Sequence, residues 1–260
     1  GALDQLRLVD RSALLSDSRM EVALDEARWL WGAGLYARAY DAFTAFGSQY
    51  PFSTYRTVAR KGAADCLFAL GDFVGAYNLY SSIDSKGLNS ADAAERAYRM
   101  GVSALETGKN GAAALFMQSA SYAPLRSASY FYLGKIAYDK GDYAEALRNF
   151  KSVNTHEAPG NRAGLYLAAI DFAQGNYAQA LATARRELRA PGLDNETVGE
   201  LNRIAGESLY RQDDNSEACE YLQKYVKLVA EPLPSALYIL GIDSFNKGDY
   251  EKALGYMRPV

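Results

Sequence analysis

Histidine is nearly missing from this 260-residue chain: the one copy is His156. That excludes every metal motif built on two histidines and leaves few routes to a Ser–His or Cys–His nucleophile. Cysteine is almost as scarce. Cys66 and Cys219 stand far apart, too few for a disulfide framework, and read as small buried apolar side chains. Neither sign of charge dominates, with 28 Lys and Arg against 31 Asp and Glu for a net charge of -3. Nothing in that balance points to nucleic acid or to an anionic membrane. No apolar run is long enough to span a bilayer. Prolines number only seven, which permits long helices. What the chain does have is alanine, 43 residues of 260, and 20 tyrosines. Alanine is the best helix former, so the composition favours an all-helical protein.

The alanines are periodic. Gly-Asp-Tyr occurs at 141–143 and 248–250, Gly-Asp-Phe at 71–73 and Gly-Asn-Tyr at 175–177. Anchored on that glycine, seven copies align at 34, 71, 108, 141, 175, 213 and 248, with Asp213 in place of Gly. Five residues after the anchor stand Ala39, Ala76, Ala113, Ala146, Ala180, Ala218 and Ala253. Nine after it stand Phe43, Tyr80, Met117, Phe150, Ala184, Leu222 and Met257, and seven before it only Ala or Gly. Aromatic residues or Leu fill the position three before the anchor. Each copy reads as helix, turn, helix: small residues where the two helices touch, large ones in the gaps, and glycine ending the first helix. Pro51, Pro124, Pro159, Pro191 and Pro232 are expected between copies.

The pairs are expected at 18–32 with 36–49, 55–69 with 73–84, 91–107 with 110–121, and 127–139 with 143–154. The remaining three are 161–173 with 177–189, 197–211 with 215–229, and 235–246 with 250–258. Ser18-Arg19-Met20-Glu21 has the capping-box spacing for the first helix. Residues 1–17 form a lead-in with a short helix over 3–15, and 18–260 form the repeat domain.

These residues resemble the tetratricopeptide repeat, whose period is 34 residues. The resemblance covers about 18–260, nearly the whole chain, and is best at 127–158 and 234–257; the turns Gly108-Lys109-Asn110 and Asp213-Asp214-Asn215 depart from the pattern. It implies an all-α, right-handed α-solenoid of about seven repeats. It also implies a non-catalytic scaffold that holds an extended or helical protein segment in its concave groove. Groove residues carried over from the family are Arg28 with Asp25, Lys61 with Asp65, Tyr98, Arg99, Phe131, Tyr132, Lys135, Tyr166, Arg203 with Glu207, and Tyr238. The family's two-carboxylate clamp is absent, because Asp65 stands where asparagine is needed. Tyr132 and Tyr166 sit at a position usually polar in the family and are expected to form an aromatic strip. Glycan or small-molecule binding by that strip is the alternative, and end-to-end self-association or a structural role within a larger chain is a third.

Other motifs weigh less. Gly32-Ala33-Gly34-Leu35-Tyr36-Ala37 fits a dinucleotide pattern but follows a helix rather than a strand. Ser244-Phe245-Asn246-Lys247 lacks the partner motifs of a serine acylase. Asn195-Glu196-Thr197 is a sequon by pattern, better read with Asp194 as a helix cap. His156 is expected on the surface. No enzyme, cofactor or metal is indicated. The chain begins without Met and with no leader, so an upstream signal segment stays open. The lead-in Asp10–Leu15 resembles exported repeat proteins of Bacteroidetes, which points to a bacterial source and the cell envelope, with the cytoplasm as alternative. No polar capping helix follows Met257, which predicts a longer chain or a subunit contact at that end.

Overall fold

The computed structural model describes residues 16–258; the expected helix over 3–15 lies outside them. Among the described residues there are α-helices and two short 3-10 turns, and no strand. The helices come in seven pairs: α1 (Ser16–Gly32) with α2 (Tyr36–Gln49), α3 (Arg56–Ala69) with α4 (Phe73–Ser81), and α5 (Ser90–Glu106) with α6 (Ala112–Ser119). Then follow α7 (Ala123–Asp139) with α8 (Tyr143–Phe150), α9 (Ala163–Ala173) with α10 (Tyr177–Glu187), α11 (Asn195–Tyr210) with α12 (Asn215–Leu228), and α13 (Pro234–Asn246) with α14 (Tyr250–Met257). The chain divides into two compact units, Gly1–Ser129 and Tyr130–Val260, with the boundary inside α7.

Every corner within a pair is built the same way. The anchor residue has a left-handed backbone, φ between +65 and +79° in all seven copies, including Asp213 at +65°. Its N–H donates to the carbonyl three residues back, as from Gly141 to Tyr138 at 2.8 Å. The next N–H donates to the carbonyl five back, as from Asp142 to Ala137 at 2.9 Å. This double bond satisfies two carbonyls that the helix end would leave open. The aspartate of Gly-Asp then serves the second helix. Asp72, Asp142, Asp214 and Asp249 each accept the N–H three residues on, at 2.8, 3.0, 3.3 and 3.1 Å. The aromatic that follows packs on the one before the corner. Ring centroids lie 4.8 Å apart for Trp31–Tyr36, 5.5 Å for Phe68–Phe73 and 5.8 Å for Tyr138–Tyr143.

The helices of a pair meet where the small column seats the large one. A Cβ on Gly134 would come within 2.7 Å of the Phe150 ring, one on Gly206 within 2.7 Å of Leu222, and one on Gly241 within 2.8 Å of Met257. Copy three obeys the rule with a shift. Gly111 inserts a second left-handed residue, φ +92°, and delays α6 to Ala112. Ala112 and Phe116 therefore take the inner positions, with the Phe116 ring 3.0 Å from where a Cβ on Gly101 would stand. The alignment had put Ala113 and Met117 there, and Met117 is in fact 57% exposed.

Two further expectations are corrected. The first helix begins at Ser16, so Ser18 lies within it rather than capping it. Pro124 lies inside α7, in its first turn, where no amide partner is lost.

Neighbouring pairs share cores. In the first unit Leu24, Ala27, Phe43, Phe46, Ala59 and Cys66 interlock across α1, α2 and α3. In the second, Phe131, Ala146, Phe150, Ala163 and Ile170 join α7, α8 and α9. Both thiols are buried, and burial pushes Cys66 up to about 12 and Cys219 up to about 11.

Ala146 is fully buried, so Ala146→Leu overpacks the contact at a cost of about 1–3 kcal/mol. The shifted register of copy three makes a sharper forecast. In denaturant melts Ala112→Leu destabilises the protein, while Ala113→Leu changes it far less. Equal losses at the two positions would contradict the shift.

Candidate binding face on the first helix of each pair

The predicted groove residues all lie on first helices, and the structure sorts them by burial. Tyr238 stands 51% exposed on α13. Arg28 is exposed on α1 and pairs with Asp25 at 3.2 Å. Lys135 on α7 is partly exposed and pairs with Asp139 at 2.8 Å. Phe131, predicted as a contact residue, is instead 2% exposed and belongs to the core. It turns inward because α9 packs over it, the Tyr166 ring meeting it edge-on at 5.8 Å, and its α7 neighbour Tyr132 lies edge-on at 5.4 Å.

Tyr166 is itself half-buried. It stacks on Phe150 with centroids 5.4 Å apart and planes at 15°, and meets Tyr138 edge-on at 5.3 Å. An aromatic cluster thus joins α7 and α9, but most of Tyr166's ring area serves packing. Burial raises the Tyr166 and Tyr138 hydroxyl pKa values, the first opposed by Lys135 and Arg162 and the second by Arg203. Tyr98 in the first unit is likewise partly buried, edge-on to Phe116 at 5.8 Å.

Lys61 was expected in the groove as a cation for a partner; it is 5% exposed and already ringed by carboxylates. Its Nζ lies 3.0 Å from Asp65, 3.2 Å from Asp92 and 3.0 Å from Glu95. Asp65 also takes Arg99 Nη1 at 2.6 Å and accepts the Tyr80 hydroxyl at 2.6 Å. The Arg99 guanidinium lies 5.8 Å from the Trp31 ring centroid, within cation–π range. Burial alone would lower the Lys61 pKa. Asp65 and then Glu95 outweigh it, and the net shift is upward. A raised lysine pKa adds stability that is fully present below the ordinary lysine value and is lost as pH rises through the folded-state value. Beside this network a cleft of about 150 Å³ is lined by Arg28, Trp31, Val58 and Asp92. The sequence places Lys61 and Asp65 on one face and Tyr80 in the large-residue column, but gives no signal for Asp92 or Glu95.

In the second unit Arg203 is held at 2.9 Å by both Glu200 and Glu207, and Ser235 of α13 donates to Glu207 at 2.7 Å. In each unit the predicted charges on the first helices are internally neutralised, and partly exposed tyrosines stand on the same set of helices. Among the described residues, the cations predicted for this face, Arg28, Lys61, Arg99, Lys135 and Arg203, are each already paired with a carboxylate, unlike the free cations a carboxylate clamp needs. The other weighed motifs resolve as structure. Gly34 is a corner residue, and Ser244 is buried and donates to the Leu240 carbonyl at 2.8 Å. Asp194 caps α11 by accepting Thr197 N–H at 2.7 Å, and His156 is exposed. Among the described residues no group of His, Cys, Asp or Glu is arranged to hold a metal ion, and no helix is long and apolar enough to cross a membrane.

A family model described as tetratricopeptide repeat matches residues 204–230. Solved structures share the fold. A tetratricopeptide repeat protein from Parabacteroides merdae is 15% identical, with 92% of this chain and 91% of that one covered at a TM-score of 0.61. The C-terminal part of a repeat-containing protein from Cytophaga hutchinsonii is 16% identical, covering 90% and 93% at 0.64. The Pseudomonas aeruginosa pilF structure is 16% identical, covering 85% and 90% at 0.56. A search of curated proteins by sequence finds no match. The chain thus has the tetratricopeptide-repeat fold and carries that family's signature in its sixth pair. The fold is generally a non-enzymatic scaffold that binds protein partners.

The network makes Asp65 the residue on which three others depend. Asp65→Ala leaves the Tyr80 hydroxyl buried without its acceptor and removes a carboxylate from the buried Lys61 and the part-buried Arg99, at a cost of about 3–5 kcal/mol. A urea midpoint equal to that of the parent would show that Asp92 and Glu95 suffice.

Proposed function

We propose that this protein is a non-catalytic scaffold that holds an extended or helical segment of a partner protein against the first helices of its pairs. The observation that carries this reading is the make-up of that face. In the second unit Tyr238 is exposed and Tyr132 partly so, in the first unit Tyr98 is partly so, and the charged side chains predicted on those helices are already paired. Tyrosine buries a large area with few rotamers to freeze, which suits recognition. Paired charges add little net attraction, so the partner is bound through apolar and hydrogen-bonding contacts, with Arg28, Lys135 and Arg203 setting register rather than affinity. Lys61, Arg99 and Phe131 act from beneath, by fixing the helices that present the tyrosines.

The test separates binding from packing. Tyr166 is left intact because its ring is part of the core. Tyr238→Ala with Lys135→Ala changes only partly exposed side chains, so the melting temperature stays near that of the parent. Partners captured from native extract by the immobilised parent are lost or weakened by roughly tenfold or more, a hot-spot effect. Unchanged capture by a normally folded variant would move the binding face elsewhere.

A further inference from the structure

Away from that face, the second helices of the fifth and sixth pairs enclose a cleft of about 600 Å³ lined by Arg185 and Arg189 of the α10 end, Glu217, Tyr221 and Lys224 of α12, and Asn202 of α11. Its charges are arranged differently from those of the groove. Three cations face one carboxylate, in a chain whose net charge is -3. Glu217 is taken by Arg185, whose Nε also donates to the Tyr221 hydroxyl at 3.2 Å. Among the described residues Arg189 and Lys224 have no carboxylate within ion-pair distance. Lys224 Nζ lies 5.2 Å and the Arg185 guanidinium 5.9 Å from the centroid of the Tyr221 ring. The floor is polar and fixed: Asn202 is buried and donates to the Val198 carbonyl at 2.7 Å.

We infer that this cleft is a second docking site, for an acidic peptide segment whose carboxylates pair with Arg189 and Lys224 across Tyr221. The helix dipole accounts for basic residues near the end of α10 but not for Lys224, which stands before the last turn of α12. Like charges gathered around one ring repel each other, and a bound carboxylate relieves that repulsion. The cations sit on α10, the turn just after it and α12, with the partly buried Tyr221 ring between them and an open volume far larger than one phosphate. Separate carboxylates along a chain fit that spacing better than a compact anion does. The site is independent of the groove.

The experiment uses the full chain and labelled hexaglutamate, read by fluorescence anisotropy at low salt, with hexalysine as the control. The parent binds hexaglutamate and not hexalysine, and added salt weakens the complex. Arg189→Glu with Lys224→Glu lowers affinity by roughly tenfold or more while the circular dichroism melt is unchanged. Should the reversal unfold the protein, Arg189→Gln with Lys224→Gln gives the same readout with a smaller loss. Tyr238→Ala leaves hexaglutamate binding intact, which keeps this site distinct from the groove. Absence of binding by the parent, or equal binding by a folded charge variant, overturns the proposal. Full displacement by inorganic phosphate at matched ionic strength also overturns it, since that marks a site for small anions.

Discussion

Two helices can lie side by side at one point only if one of them carries almost nothing there. In this chain that point recurs seven residues before each corner, where only Gly or Ala is found. The opposing helix fills the space with one large side chain: Phe150 over Gly134, Leu222 over Gly206, Met257 over Gly241. Close packing at this seat sets the distance between the helices, and that distance in turn decides how the corner must be built. Helix propensity would favour alanine over glycine at Gly134 by roughly 1 kcal/mol. Glycine stands there because the Phe150 ring leaves no room for a methyl.

The corner converts that constraint into a short sequence signature. Glycine or Asp213 reverses the chain in the left-handed region, and the following aspartate ends one helix and starts the next. Where the aspartate is missing, as at Leu35 and Asn176, no side chain caps the second helix, yet the backbone double bond remains. The backbone pattern is thus the constant element and the side-chain cap an addition of about 1 kcal/mol. Alanine five residues after the corner completes the seat from the other side.

The periodic columns made the pairs legible from sequence, because each column reports a contact within some forty residues of chain. Helix bounds came within a few residues for the same reason. The misplacement of Ala113 and Met117 has a physical origin: Gly111 adds a left-handed residue that no spacing rule anchored on Gly108 could register. The binding face was legible as a set of positions but not as a set of exposures. Phe131 and Tyr166 share a helix face with their neighbours, yet Phe150 of α8 packs on both rings. Lys61 lost its expected role to Asp92 and Glu95, which stand on the next first helix. A single sequence carries no record of which carboxylate a buried lysine meets. Arg189 and Lys224 fall outside every repeat column, so the pattern carries no sign of the cleft they line.

The account rests on the seat, and one double-mutant cycle tests it most directly: Gly134→Ala, Phe150→Leu and the pair together, each measured by urea denaturation. Gly134→Ala is predicted to destabilise the protein despite its gain in helix propensity. A Cβ there would stand 2.7 Å from a ring that is itself locked against Tyr166. In the Phe150→Leu background, where that ring is gone, the same substitution is predicted to be neutral or stabilising. The coupling between the two sites is then about 1 kcal/mol or more, within the range for residues in contact. Additive effects, or a Gly134→Ala variant more stable than the parent in the presence of Phe150, would contradict the claim that this contact sets the fold.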